Sequence, residues 1–266
     1  MHSIIRTCID YLQFYIHSDP ASGHGIHSPF AFQFAKEVLG DKTAFADYQT
    51  WQQWRDALRA DKAYLPIVEL GAGSATAPDR SARRVADLVS RVSKPVRTGR
   101  LLYRIARYYR PDRIVELGTS LGLSTAWFSL ARPQAAVFTI EGNLAVAEKA
   151  QSNFDRWGRS NITLVKGNFD DCLPSLLEQL SGVDLVFLDG NHRREPTLRY
   201  FEQLLSKKHS ETIFIVDDIH WSAEMKEAWS AIKQHPEVRC TIDLFQFGLV
   251  LFKKEFKEVR HFSIRF

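Results

Sequence analysis

The chain has 266 residues, a net charge of +4 and a hydrophobic content of 45%, which allow one large α/β domain or one such domain with a smaller addition. Its three cysteines show no paired metal-type spacing, which argues against a disulfide framework and favours a reduced, cytoplasmic location. We expect neither a signal peptide nor a membrane span, since the first 20 residues contain no uninterrupted apolar run of about 18 residues.

The first third of the chain is predicted to be mainly helical, with helices over residues 4–17, 30–39 and 48–58. Between the first two helices lies an unusual motif, Gly23-His24-Gly25-Ile26-His27-Ser28-Pro29-Phe30. Histidines in such a motif most often cap helices or form hydrogen bonds within the loop. Metal binding and a role in covering an active site are the alternatives with a function.

Residues 65–78 contain a glycine motif, Val68-Glu69-Leu70-Gly71-Ala72-Gly73, that is typical of a nucleotide-binding loop. Pro78 and a basic stretch follow it, instead of a second strand that ends in an acid. Pro95 then interrupts the chain again. Because no βαβ unit can be completed there, the sequence favours a later loop as the cofactor site.

Residues 80–113 carry eleven basic and two acidic side chains, a local charge of +9, so the rest of the chain carries −5. A helix is predicted from Val96 to Tyr109, and one of its faces holds an arginine stripe made of Arg97, Arg100, Arg104 and Arg107. The stripe is typical of a solvated helix face with snorkelling side chains. A docking surface for an anionic substrate or for nucleic acid is the alternative.

The stretch from Arg113 to Asn143 predicts a strand, a glycine loop, a helix and a second strand. The loop follows Glu116 and reads Gly118-Thr119-Ser120-Leu121-Gly122, where the glycines allow a ligand to approach the backbone. Glu141 ends the second strand, 25 residues after Glu116, at the position where the ribose hydroxyls of a nucleotide are bound. The spacing fits one βαβ unit.

Further strands are predicted over residues 162–166, 183–188 and 212–216, and the pair 238–245 and 248–252 predicts an antiparallel hairpin. Alternation of strands and helices indicates a parallel sheet, and ligands bind at the carboxyl ends of such strands. Acids stand at four of these ends, namely Glu116, Glu141, Asp189, and Asp217 with Asp218.

The glycine loop and the spaced acid resemble the cofactor site of class I S-adenosylmethionine-dependent methyltransferases, over residues 97–266. The resemblance implies a Rossmann-like, seven-stranded, mostly parallel α/β sheet with helices on both faces, a C-terminal antiparallel hairpin and a helical N-terminal extension over residues 1–96. It implies that S-adenosylmethionine is bound by the following residues: Glu116, Gly118, Thr119, Ser120, Gly122, Ser124, Glu141, Gly142, Asn143, Gly167, Asn168, Phe169 and Asp189. For residues 167–171, a plain strand-to-helix turn with Asp170 or Asp171 as the cap is the alternative.

The acids Asp189, Asp217 and Asp218 resemble the metal ligands of small-molecule O-methyltransferases of the catechol and caffeoyl-CoA type. In that branch an Asp-Asn pair ends the fifth strand, whereas this chain has Asp-Asp, and carboxylates suit Mg²⁺ or another divalent cation. A lysine base follows the first aspartate by three residues in that branch, and His192 holds the position here. His220 is the competing base, because either histidine can accept a proton near neutrality.

The resemblance implies methyl transfer to an oxygen of a small-molecule acceptor. The arginine stripe favours an anionic acceptor. Two other classes stay open. The loop also matches the G-x-S-x-G elbow of α/β-hydrolases, with Ser120 as nucleophile, although only one strand candidate precedes it. The arginine stripe also allows an RNA-directed methyltransferase, but the motif for methylating exocyclic amines is absent, since strand four ends in Asp189-Gly190-Asn191-His192.

Overall fold

The computed structural model describes residues 4–21, 28–67, 82–92 and 94–266. In chain order the helices are α1 (Ile4–His17), α2 (Pro29–Phe34, continued by a π-helical turn over Ala35–Leu39), α3 (Ala46–Ala60), α4 (Val85–Val92), α5 (Val96–Tyr109), α6 (Leu123–Ala131), α7 (Leu144–Arg156), α8 (Phe169–Gln179), α9 (Arg194–Leu205) and α10 (Ala223–Gln234). The strands are β1 (Asp19–Pro20), β2 (Tyr64–Pro66), β3 (Ala82–Arg84), β4 (Arg113–Leu117), β5 (Ala136–Glu141), β6 (Ile162–Lys166), β7 (Leu185–Leu188), β8 (Ile213–Asp217), β9 (Cys240–Asp243), β10 (Phe247–Leu251) and β11 (Arg260–Arg265). None of the helices in these ranges combines the length and the apolar run that crossing a membrane requires.

The chain forms two compact units, which are described separately. The continuous unit consists of Lys42–Gln179, and the two-segment unit consists of Met1–Asp41 with Leu180–Phe266. The predicted domain boundary between residues 96 and 97 stays a prediction.

In the continuous unit, β5 lies between β4 and β6 and runs parallel to both. The apolar side chains of β4 are fully buried, as expected for a strand with covered faces. Helix α6 connects β4 to β5, and α7 connects β5 to β6, so the predicted βαβ unit is confirmed. A short antiparallel pair, β2 and β3, lies earlier in this unit.

In the two-segment unit, β7 and β8 are parallel, and β10 lies antiparallel between β8 and β9. The predicted C-terminal hairpin is therefore confirmed. The tail after residue 252 forms β11, which runs parallel to β9 and pairs on its other side with β1. These two strands extend the sheet beyond the predicted set, because their pairing partners are distant in sequence.

The arginine stripe packs against aromatic rings of the same unit. The Arg100 guanidinium carbon lies 4.7 Å from the centre of the Tyr48 ring, and that of Arg107 lies 4.7 Å from the Phe45 ring. Tyr103 of the same helix donates a hydrogen bond to Asp47 at 2.6 Å. Two of the four stripe arginines thus help to attach α5 to the α3 region, which favours the packing interpretation over a nucleic-acid surface.

Some sequence predictions lie outside the described residues. They include the glycine motif Val68–Gly73 and the two motif histidines, His24 and His27. The start of α2 is described, and the Ser28 hydroxyl accepts a hydrogen bond from the Ala31 N–H at 3.4 Å, as a capping residue does. All three cysteines are free, and the cytoplasmic location stays a prediction.

Candidate active site

The loop between β4 and α6 ends at Gly122, a position whose backbone conformation and surroundings require glycine. Gly118 and Gly122 have φ values of 105° and 84°, and Ser120 between them has φ 49°. A Cβ atom on Gly122 would lie 2.3 Å from the Phe154 ring, closer than atoms can approach. The N–H groups of Gly118 and Thr119 donate to the Ile140 carbonyl at 3.1 and 3.3 Å, which ties this glycine loop to β5.

Glu141, the last residue of β5, also holds the glycine loop. Its carboxylate accepts the N–H of Ser120 at 2.8 Å and the N–H of Asn143 at 2.9 Å. Burial raises the pKa of Glu141, and the N–H groups of Asn143, Ser120 and Gly142 partly offset that rise by stabilising the charge. Asn143 in turn caps α7, since its side-chain oxygen accepts the Val146 N–H at 3.1 Å.

Glu116 is fully buried beneath the glycine loop. It accepts hydrogen bonds from the hydroxyls of Thr125 and Thr139, the latter at 2.7 Å, and Thr139 also pairs with the Thr119 hydroxyl at 2.6 Å. These contacts join β4, β5 and α6 at one point. The structure therefore gives Glu116 a role in holding the loop, and its direct contact with a cofactor stays a prediction.

Apart from Asp189, which lies in the two-segment unit, the remaining predicted cofactor residues stand at strand ends and helix starts of the continuous unit. Ser124 lies in the first turn of α6. Gly167 directly follows β6, has φ 144° and donates its N–H to the Glu141 carbonyl at 2.9 Å. Asn168 accepts the Asp170 N–H at 3.2 Å through its side chain, directly before α8 begins at Phe169. Asn168, rather than Asp170 or Asp171, therefore caps this helix.

Three further side chains converge in the two-segment unit. Asp189 follows β7, Asp217 ends β8, and His192 lies in the loop after β7. One ligand atom from each of them lies within 4.8 Å of the other two. We call these three residues the cation cluster. The His192 Nε2 atom is 3.7 Å from Asp189 Oδ1 and 3.9 Å from Asp218 Oδ2.

The backbone turns the His192 ring toward these carboxylates. Asn191 and His192 have φ values of 70° and 43°, and Asp218 has φ 53°, so three loop residues adopt the left-handed conformation. Such conformations are uncommon for residues other than glycine and concentrate at functional sites. The Trp221 ring lies 6.0 Å from the His192 ring, and Trp221 is partly exposed.

The donor set of the cation cluster fits a divalent ion. Ligand atoms that bind one ion at about 2.1 Å stand about 3 to 4 Å apart, so a small contraction of the cluster suffices. Asp217 is 1% exposed, and carboxylates gathered this closely repel one another unless a positive charge lies among them. The sequence predicted Asp218 as the third ligand and His192 as a base, whereas the structure groups His192 with Asp189 and Asp217.

His220, on the loop after β8, forms a pair with Asp243, the last residue of β9. His220 Nε2 is 2.8 Å from Asp243 Oδ2, and the other oxygen of Asp243 accepts the Phe245 N–H at 2.8 Å. The His220 and Phe245 rings stack at 5.0 Å, and Phe14 of α1 lies 6.2 Å from the His220 ring. Asp243 is not among the predicted site residues, although an acid at the end of a buried strand is the signal that identified the others.

Ser120 lacks the partner that a hydrolase nucleophile needs. Its N–H binds Glu141, and among the described residues no histidine lies within hydrogen-bond distance of its hydroxyl. The hydrolase alternative therefore has no support in this part of the chain.

Comparisons with known proteins find methyltransferases among the relatives of this chain. A family model described as a methyltransferase domain matches residues 115–219. A catechol O-methyltransferase of Mycobacterium tuberculosis is 30% identical over 159 residues, covering 59% of this chain and 70% of that protein. A catechol O-methyltransferase of Niastella koreensis is 32% identical over 124 residues, and the match covers 46% of this chain and only 55% of that protein.

Solved structures show the same fold. An S-adenosylhomocysteine-bound methyltransferase of Podospora anserina has a TM-score of 0.58 at 16% identity, with 86% of this chain and 97% of that chain covered. An O-methyltransferase of Bacillus cereus, in complex with S-adenosylhomocysteine, has a TM-score of 0.54 at 18% identity over 82% of this chain and 96% of that one. The fold is thus a Rossmann-like α/β sheet, mostly parallel, with antiparallel C-terminal strands and N-terminal helices.

Proposed function

The chain belongs to the S-adenosylmethionine-dependent O-methyltransferase family of the catechol and caffeoyl-CoA type, and on that premise we propose that it methylates a hydroxyl oxygen of a planar, catechol-like small molecule. The methyl group passes in line from the cofactor sulfonium to the acceptor oxygen. Most of the rate enhancement then comes from positioning the two reactants and from removing the acceptor proton.

The continuous unit is proposed to bind S-adenosylmethionine. The observation that carries the proposal is the glycine loop held by Glu141, because that carboxylate stands where ribose hydroxyls are bound and its orientation is fixed by two N–H groups. Gly122 keeps space beside Phe154, and the first turn of α6 offers unpaired N–H groups to the cofactor carboxylate.

We propose that His220 removes the proton of the substrate hydroxyl that receives the methyl group. When Nε2 donates its hydrogen to Asp243, the basic lone pair is on Nδ1, and the aspartate stabilises the imidazolium that forms after proton transfer. Stacking on Phe245 and the N–H bond from Phe245 to Asp243 hold both groups in one orientation. Tyr11 of α1 lies 4.9 Å from Phe245, so the N-terminal helix contributes to the aromatic surroundings of this pair.

A divalent cation in this family supplies positive charge that lowers the pKa of an acceptor hydroxyl. Here Asp189, His192 and Asp217 would hold it, with Asp218 beside them. Trp221, which is 38% exposed, offers an aromatic face to a planar acceptor.

Calorimetry with S-adenosylhomocysteine tests the cofactor half of the proposal, and formation of that product with 3,4-dihydroxybenzoate, a planar and anionic catechol, tests the transfer. We expect binding by the purified chain, and turnover that depends on the catechol. A chain that binds neither the methyl donor nor its demethylated product would contradict the proposal.

The role of His220 has its own test. His220→Gln should lower kcat about 100-fold, as removal of a general base does, and leave the affinity for S-adenosylhomocysteine unchanged. The matched control is His209→Gln, because His209 also pairs with an aspartate, Asp184, at 2.7 Å but lies before β8. Equal kcat values for the two variants would remove His220 from the proton-transfer step.

A further inference from the structure

His192 differs in kind from the residue that family members carry at its position. A lysine there is a proton acceptor with a long, flexible chain, and its ammonium form cannot bind a metal ion. Neutral imidazole is among the commonest metal ligands in proteins. The exchange therefore replaces a base with a potential ligand, at three residues from Asp189.

The geometry agrees with a ligand role. His192 Nε2 faces two carboxylates, Asp189 at 3.7 Å and Asp218 at 3.9 Å, and belongs to the same cluster as the buried Asp217. Its side chain is only 24% exposed. These distances bring the imidazole nitrogen close to the carboxylates that would bind the cation, which is the arrangement that a ligand needs.

The chemistry of the donor set then decides which ions bind. Carboxylate and water oxygens alone suit Mg²⁺ and Ca²⁺, whereas imidazole together with carboxylates favours first-row transition ions. Resting on the proposed function, we propose that His192 is a nitrogen ligand of the divalent cation and that the cation cluster selects a transition ion such as Mn²⁺ or Co²⁺ over Mg²⁺. This assignment leaves the proton-acceptor role to a residue other than His192.

The test is metal binding by the purified full-length chain after treatment with EDTA and dialysis. Calorimetry measures the affinities for Co²⁺ and Mg²⁺, and the visible absorption of bound Co²⁺ reports the nitrogen ligand independently of turnover. We expect the wild-type chain to bind Co²⁺ at least about tenfold more tightly than Mg²⁺. His192→Ala should lose that preference and change the Co²⁺ spectrum, while its Mg²⁺ affinity changes less than about threefold.

Two further variants keep the result interpretable. His192→Lys restores the residue of the family and should also lose the Co²⁺ preference, so that a folding defect of one variant does not decide the outcome. His209→Ala removes a histidine of the same unit that lies outside the cation cluster, and its metal affinities should equal those of the wild type. Thermal unfolding of each variant in the absence of metal monitors the fold.

Several outcomes would overturn the inference. They are equal Co²⁺ and Mg²⁺ affinities in the wild-type chain, unchanged Co²⁺ binding in His192→Ala, and no binding of either ion. The last outcome would make His192 a simple ion-pair partner of Asp189 and Asp218. Binding of S-adenosylhomocysteine, measured on the same metal-free samples, separates the two proposals, since its absence would contradict the proposed function whatever the metals do.

Discussion

The acids at the ends of β4 and β5 have surroundings opposite to those of the acids at the ends of β7 and β8. Glu116 accepts hydrogen bonds from threonine hydroxyls, and Glu141 accepts them from the N–H groups of Ser120 and Asn143. Asp189 and Asp217 instead lie within 4.8 Å of each other and of an imidazole nitrogen. The first pair accepts hydrogen bonds that join strands and loop, whereas the second pair belongs to a group of three side chains with the composition of a metal site.

An acid at a strand end can therefore serve either the framework or a ligand. A carboxylate that accepts two hydrogen bonds from the protein is held in place, and removing it releases its donors. Carboxylates that converge repel one another, and a cation between them relieves that repulsion. Substitutions in the first group should therefore lower stability or cofactor affinity, whereas substitutions in the second group should lower turnover.

The largest effect is expected for the glycine loop itself. Gly122→Ala places a Cβ atom against Phe154 and strains a φ of 84°, so the free energy of unfolding should fall by about 3 kcal/mol, with loss of S-adenosylhomocysteine binding. Gly158→Ala is the matched control, because Gly158 also has a positive φ, 64°, but open space around its Cβ position. Its cost should be about 1 kcal/mol. Urea unfolding of both variants measures the difference, and equal costs would contradict the packing argument.

The next effect should separate turnover from cofactor binding. Asp217→Asn removes a buried negative charge from the cation cluster, so turnover should fall about 100-fold, while the affinity for S-adenosylhomocysteine changes less than about threefold. EDTA should lower the turnover of the wild-type chain and have little further effect on the variant. Parallel losses of turnover and cofactor affinity would mean that Asp217 belongs to the framework group instead.

The continuous unit was more predictable from sequence than the cation cluster. A buried strand, a glycine loop, a helix and an acid at fixed spacing are local features, so the sequence predicts β4, α6 and β5 in their order within residues 113–143. The interior position of Glu116 is not predictable from local sequence, because its partners Thr125 and Thr139 lie on two other elements.

The two-segment unit depends on pairings that are distant in sequence. Strand β11 forms because β9 offers a free edge, and β1 then adds to β11, which no local pattern indicates. The partnership of His220 with Asp243 likewise follows from the placement of β9 beside β10. Asn191 and His192 are two left-handed residues in succession, a conformation that sequence alone does not specify.

A moderate and pH-dependent effect is expected for Glu141. Burial raises its pKa, so the carboxyl group takes up its proton at a higher pH than the roughly 4.3 of a free glutamate. The ionised form accepts ribose hydroxyls better than the protonated form, so the affinity for S-adenosylhomocysteine should fall as pH falls through the raised pKa. Glu141→Gln should bind about tenfold more weakly at neutral pH and lose this pH dependence. Calorimetry between pH 5 and 8 measures both, and a variant with the wild-type pH profile would contradict the role of Glu141.

The smallest effect is expected for Asp218→Asn, which restores the Asp-Asn pair of the family. The Asp218 side chain is 36% exposed, its N–H bond to the Gln246 carbonyl at 2.8 Å does not involve the side chain, and asparagine tolerates a φ of 53° as well as aspartate does. Turnover should therefore change less than about threefold, and metal affinity should fall only slightly, because one nearby negative charge is lost while the cation cluster stays intact. Metal titration of Asp218→Asn beside Asp217→Asn measures the contrast. A loss as large as that of Asp217→Asn would make Asp218 a direct ligand and would extend the cluster from three residues to four.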